Sequence, residues 1–128
     1  MKTPAKSNNW TVFVVEDDLG VRESLKAVLQ AVGLSVRCFA SADEFLANHD
    51  GTRPDCLLLD VRMPGTSGLE LQQKLADDLD IPIIFMTGHG NIPMNVQAMQ
   101  NGAIEFLEKP CPPENLINAI RKVIDLEP

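Results

Sequence analysis

Side chains able to handle a phosphoryl group or a cation stand at the ends of four apolar runs in this chain. The β-branched run 11–15 stops abruptly at Glu16-Asp17-Asp18. The run 56–59, Cys-Leu-Leu-Leu, leads into Asp60, and the run 81–86 leads into Thr87. A shorter run, 104–107, is followed by Glu108 and then Lys109-Pro110. Three carboxylates drawn together would repel one another unless a cation sits among them. Magnesium suits such a set, because it is usually held by one or two carboxylates and keeps positions for phosphate oxygens. A lysine adds positive charge and a threonine hydroxyl adds a donor, which together complete a phosphate site. A carboxylate can itself be the attacking nucleophile. Asp60 is the best candidate, at the tip of the most apolar run, with Asp17, and Glu16 more loosely, holding the metal.

Elements that would position these groups follow from the hydrophobic pattern. After Asp18, apolar residues fall at Val21, Leu25, Val28, Leu29 and Val32, a helical spacing that Gly33 ends. Asp18 itself reads as a helix-start acid. Residues 34–39 form the second strand, and Ser41 with Glu44 is a capping box opening a short helix that buries Phe45 and Leu46. Ser67 with Glu70 repeats the box before Leu71, Leu75 and Leu79. Asn91 caps a fourth helix, with Pro93 in its first turn, Val96 and Met99 inside and Gly102 at its end. Pro113 opens the last helix, whose inner face is Leu116, Ile120, Val123 and Ile124.

Strand and helix thus alternate five times, and the strands read as continuously apolar. Such strands are buried on both faces, which calls for a parallel sheet covered by helices on each side. In an open parallel sheet ligands lie beyond the carboxyl ends of the strands, where Glu16, Asp17, Asp60, Thr87 and Lys109 would converge.

Composition bounds the remaining choices. At 128 residues, 45% of them hydrophobic, the chain suits one domain with one core. Residues 1–9 read as a loose polar tail and 10–127 as the domain. No stretch approaches the roughly 18–20 apolar residues of a membrane span, and no signal segment is evident, so a cytoplasmic location without membrane contact is expected. Cys38, Cys56 and Cys111 share no ligand-like spacing and read as free thiols. The net charge of −7 repels DNA phosphates, so the chain alone is a poor nucleic-acid binder.

These residues resemble the response-regulator receiver family of two-component systems. The resemblance runs over about 11–126 and rests on Glu16-Asp17, Leu59-Asp60-Val61-Arg62-Met63-Pro64-Gly65, Thr87-Gly88 and Lys109-Pro110. The stretches 60–71 and Thr87-Gly88-His89-Gly90 are similar to the FixJ-type subgroup in particular. The resemblance implies a flavodoxin-like (βα)5 doubly wound α/β fold, with a five-stranded parallel sheet in the order 2-1-3-4-5. It implies that Asp60 accepts a phosphoryl group from a phosphohistidine on a sensor histidine kinase. It further implies that Asp17, Asp60, the backbone carbonyl of Arg62 and, directly or through water, Glu16 bind Mg²⁺. Thr87 and Lys109 would engage the phosphate, and Phe106 would be an aromatic switch whose rotamer reports phosphorylation. A cis Lys109-Pro110 bond is also implied. The moving surface expected is helix four, strand five and helix five, around 91–119, which then favours homodimerisation or releases an output domain, with DNA contact only through a separate C-terminal helix-turn-helix domain. The chain would then be a piece of a transcription factor or a stand-alone receiver, and in either case a self-catalysing phosphoacceptor switch, not an enzyme.

Three positions depart from the family pattern: Glu16 replaces a common aspartate, Asn91 a common aspartate and Cys111 a common phenylalanine. Each residue also has an ordinary reading, and for Phe106 that reading is a strand aromatic that merely packs. His49 and His89 read as loop residues, and Met86, Met94 and Met99 as packing. Among rival functions, a haloacid-dehalogenase-like phosphatase places its nucleophile after the first strand in a D-x-D pattern, where this chain has Glu16-Asp17-Asp18. An unphosphorylated receiver-like interaction module is opposed by Asp60, Thr87 and Lys109. A flavin carrier lacks its Gly-rich phosphate loop after strand one.

Overall fold

The computed structural model describes residues 10–48, 50–63, 65–76, 81–88, 99–100 and 102–124. Five parallel strands form one sheet in the order β2-β1-β3-β4-β5. These are β1 (Thr11–Val15), β2 (Ser35–Phe39), β3 (Cys56–Asp60), β4 (Ile83–Thr87) and β5 (Glu105–Glu108). The helices with described bounds are α1 (Leu19–Ala31), α2 (Ala42–Asn48), α3 (Gly68–Ala76) and α4 (Pro113–Arg121). This is the flavodoxin-like arrangement that the family resemblance implies.

Side-chain alternation along the three central strands splits the interior into two cores. Phe13, Val15, Leu57, Leu59 and Phe85 face one way and meet Phe45 of α2 and Leu71 and Leu75 of α3. Val12, Val14, Cys56, Leu58, Ile84 and Met86 face the other way and meet Leu25 and Leu29 of α1 and Leu116 and Ile120 of α4. Burial on both sides explains the unbroken apolar sequences of β1, β3 and β4. The edge strands differ from that expectation. β2 alternates exposed and covered residues, and no residue of β5 is fully buried, because an edge strand has a neighbour on one side only.

Local signals set most element ends. Asp18 caps α1, its Oδ1 accepting from the Val21 N–H at 3.0 Å. Ser41 Oγ accepts from the Glu44 N–H at 2.9 Å, and Glu44 reaches back to the Ala40 N–H at 3.0 Å. Ser67 and Glu70 exchange bonds reciprocally, at 2.8 and 3.2 Å.

Two apolar residues expected inside are outside. Leu46 and Met99 are exposed, since the short α2 buries only Ala42 and Phe45 and Met99 lies on a solvent-facing side. Leu79, Asn91, Pro93 and Val96, the proposed tail 1–9 and both histidines lie outside the described residues. The three cysteines are free, and burial pushes the Cys56 thiol up to about 12. Among the described residues no helix is long and apolar enough to cross a membrane.

Candidate functional site

The sheet register brings the acids together. Val15 pairs with Leu59, so the next residues along, Glu16 and Asp60, leave adjacent strands side by side. Both have the alternation of Val14 and Leu58, the side of the sheet covered by α1 and α4. Val61 N–H continues the β3–β4 ladder to the Met86 carbonyl at 3.0 Å, and Lys109 N–H continues the β4–β5 ladder to the Thr87 carbonyl at 2.7 Å. The strand tips therefore open onto one cleft of about 890 Å³, lined by Glu16, Asp17, Asp60, Arg62, Thr87 and Lys109 among others.

Within this cleft Glu16, Asp60 and Thr87 are buried, while Asp17 is exposed. Glu16, Asp17 and Asp60 each present an oxygen within 4.8 Å of the others. Lys109 Nζ donates to Glu16 Oε1 at 2.9 Å and lies 3.5 Å from Asp60 Oδ2. Burial drives the Asp60 carboxyl up to about 7, and the Glu16 charge adds to the rise against the opposing pull of Lys109. The Asp17 carboxyl is close enough to share a hydrogen bond with Asp60, and the Arg62 N–H bonds to the Asp60 carboxylate. Burial works to lower Lys109, but the Glu16 hydrogen bond and the Asp60 charge outweigh it, and its affinity for the proton rises.

That donor set fits a small divalent cation. All three groups are oxygen ligands, their oxygens are within reach of a common centre, and burial together with the Glu16 charge raises the Asp60 carboxyl to about 7, a rise that a cation would oppose. Glu16, the residue expected to ligate most loosely, makes the shorter of the two Lys109 contacts, 2.9 Å against 3.5 Å for Asp60. The Lys109-Pro110 bond is cis, as the resemblance implied. Phe106 is not drawn into the cleft: its ring stacks on Phe85 at 5.9 Å between centroids and packs against the α2–α3 core.

Sequence reasoning missed two supports. Arg22 of α1 donates through Nη1 to the Glu16 backbone carbonyl at 2.9 Å, fixing the acidic turn, and nothing in the helical pattern marks that contact. Gly68 begins α3 against the backbone of Asp60. A Cβ there would lie 2.3 Å from the Asp60 carbonyl oxygen, and its N–H bonds to the Val61 carbonyl at 2.9 Å. A glycine at a helix start just after a capping serine was the available signal.

Comparison with known proteins agrees with this geometry. Residues 12–121 match the family described as "Response regulator receiver domain". The chain is 48% identical over 118 residues to "Response regulator protein TmoT" of Ectopseudomonas mendocina, covering 91% of this chain and 54% of that protein. It is 40% identical over 114 residues to "Transcriptional regulatory protein FixJ" of Bradyrhizobium diazoefficiens, covering 88% of this chain and 56% of that one. The chain thus spans about half the length of these curated relatives. The crystal structure of FixJ-N superposes with a TM-score of 0.82 at 42% identity, covering 90% of this chain and 93% of that one. The acid cluster at the strand tips, the strand order and the family match over 12–121 agree, and the chain belongs to the response regulator receiver domain family.

Proposed function

We propose that this receiver, spanning 10–127, is a signalling switch that accepts a phosphoryl group on Asp60 from a phosphohistidine of a sensor histidine kinase. The observation that carries the reading is the meeting of Glu16, Asp17 and Asp60 within 4.8 Å, with Lys109 Nζ 3.5 Å from Asp60. An Asp60 carboxylate oxygen attacks phosphorus as the N–P bond of phosphohistidine breaks, and the imidazole leaves with the electron pair. The product is an acyl phosphate on Asp60, formed without net oxidation or reduction. Asp17, Asp60, the Arg62 carbonyl and, directly or through water, Glu16 would hold Mg²⁺, which would supply positive charge favouring ionised Asp60 and offsetting the charge on the phosphoryl oxygens. Lys109 is already beside Asp60 and shifts from carboxylate to phosphate, while Thr87 donates its hydroxyl to a phosphate oxygen.

The added charge biases a two-state equilibrium that Thr87 and Lys109 report to the surface around 91–119. Phe106 takes part as the aromatic switch, leaving or keeping its stack on Phe85. That surface then controls homodimerisation and the output of a C-terminal helix-turn-helix domain, through which alone the whole protein contacts DNA in the cytoplasm. The length of the relatives and the transcriptional-regulator name carried by one of them support this output.

Incubation with acetyl phosphate and Mg²⁺, followed by intact mass measurement, tests the core of the reading. A gain of one phosphoryl group, lost in Asp60→Asn and without Mg²⁺, is expected. Steady phosphate release from varied phosphomonoesters would favour a phosphatase instead.

A further inference from the structure

The loop that follows Asp60 is anchored at its base and tied at its tip by a residue from a different helix. At the base, Val61 and Met63 are buried in the α2–α3 core, and Gly68 N–H closes the loop onto the Val61 carbonyl at 2.9 Å. At the tip, Thr66 Oγ1 donates to Asp43 Oδ1 at 2.6 Å, and the Thr66 N–H reaches Asp43 Oδ2 at 3.5 Å. Gly65 lies under the same carboxylate. Its φ is +78°, and a Cβ there would be 2.5 Å from Asp43 Oδ2, so a side chain is disfavoured by both conformation and space.

Asp43 is well placed to hold a loop. It stands in the first turn of α2, where the helix dipole favours a negative charge. That turn is fixed by the Ser41–Glu44 capping pair and by Phe45, which is fully buried. The backbone that carries Asp43 is therefore fixed, and the loop tip is hydrogen-bonded to its carboxylate.

We infer that Asp43 is a positioning residue for the phosphoacceptor loop: through Thr66 it holds the segment carrying Arg62, and so sets the affinity of the acid cluster for Mg²⁺. The inference rests on the proposed function and extends it to a residue outside the cleft. The physical link is short. Arg62 lines the cleft between the buried anchors Val61 and Met63, and the tie at Thr66 restrains the same loop farther along, so losing it loosens the segment that presents Arg62 to Asp60. Groups that orient metal ligands from behind commonly change affinity tenfold or more when removed.

The test is a Mg²⁺ titration of the full chain followed by backbone amide shifts, with urea unfolding of each variant as a control. Asp43→Ala and Thr66→Val are each expected to raise the Mg²⁺ Kd about tenfold. Thr66→Ser, which keeps the hydroxyl, should bind as the wild type does. The double variant should bind no more weakly than either single one, because both changes break the same contact. Wild-type affinity in Thr66→Val, with equal losses in Asp43→Ala and Asp43→Asn, would reveal a plain charge effect and overturn the inference. Additive losses in the double variant would overturn it as well. Should Asp43→Ala unfold, Thr66→Val and Thr66→Ser decide the matter alone. If wild type shows no Mg²⁺ response at all, the functional reading itself fails and this inference goes with it; normal wild-type binding with unaffected variants sinks the inference alone.

Discussion

Lys109 Nζ lies 2.9 Å from Glu16 Oε1, although the two residues are 93 positions apart in the chain. The same ammonium lies 3.5 Å from Asp60 Oδ2, so one cation spans the tips of β1 and β3. Glu16 is buried and Lys109 largely so, which separates this pair from an ordinary surface ion pair. Lys109 is the counter-charge that lets the buried carboxylates of Glu16 and Asp60 sit together. It is also the group the proposed reaction needs beside the phosphate.

Removing that counter-charge should destabilise the free protein. Lys109→Met leaves Glu16 buried without its partner, for which roughly 2–4 kcal/mol is expected, somewhat below the range for a fully enclosed pair. Urea unfolding measures it, and saturating Mg²⁺ should restore part of the loss. A change below about 0.5 kcal/mol would mean that solvent already screens the pair.

The pH dependence follows from Asp60. Its carboxyl is raised to about 7 in the fold, chiefly by burial, against about 3.9 in an unfolded chain. Between those values the folded state keeps a proton that the unfolded state has released. Stability contributed by this group is therefore full at low pH, declines as pH rises from about 4 to about 7, and levels off above that. Melting temperatures from pH 5 to 8 without metal should fall, and Asp60→Asn should flatten the slope. An equally steep slope in Asp60→Asn would assign the effect elsewhere.

Mg²⁺ should reverse that penalty. At a hundred times its Kd, a ligand specific for the folded state adds about 2.7 kcal/mol. The gain should be larger at pH 8 than at pH 5, where protons compete for Asp60, and calorimetry with and without Mg²⁺ reads the difference. A gain independent of pH would argue that Asp60 is not among the ligands.

Gly68 should tolerate no side chain. Gly68→Ala places a methyl 2.3 Å from the Asp60 carbonyl oxygen, a backbone atom that cannot swing aside. A loss of about 1–3 kcal/mol, the usual cost of overpacking, is expected in chemical denaturation. The phosphorylation rate with acetyl phosphate should fall with it, because the shifted backbone is that of Asp60, the proposed nucleophile. Unchanged stability and rate would show that α3 can retreat freely.

Asp18 offers a contrast within the same acidic turn. Its carboxylate caps α1 through the Val21 N–H, so Asp18→Ala should cost about 1 kcal/mol and Asp18→Ser much less. The Mg²⁺ affinity of both variants should match the wild type. A tenfold weakening in Asp18→Ser would bring this residue into the metal site after all.

Much of this was legible because the relevant physics is local. The unbroken apolar runs of β1, β3 and β4 announce strands buried on both faces, and the residue types just past them announce the site. Capping at Asp18, Ser41 and Ser67 could be read within four residues of sequence. Leu46 and Met99 were misjudged because a short or terminal helical segment satisfies a periodic pattern without having a core to face. Phe106 could be seen as a strand aromatic, but its stack on Phe85 depends on the pairing of two strands about twenty residues apart in sequence.

By itself the sequence determined which residues end each strand, what chemistry those ends offer, and that the sheet had to be parallel and covered on both sides. Hydrophobic periodicity and capping encode these, since each is settled by neighbours within a turn or a strand. Only the tertiary structure decided that Lys109 pairs with Glu16, that Arg22 holds the Glu16 carbonyl, and that Asp43 grips Thr66. Those contacts depend on strand register and on where helices come to rest, and both are set by the packing of the whole chain.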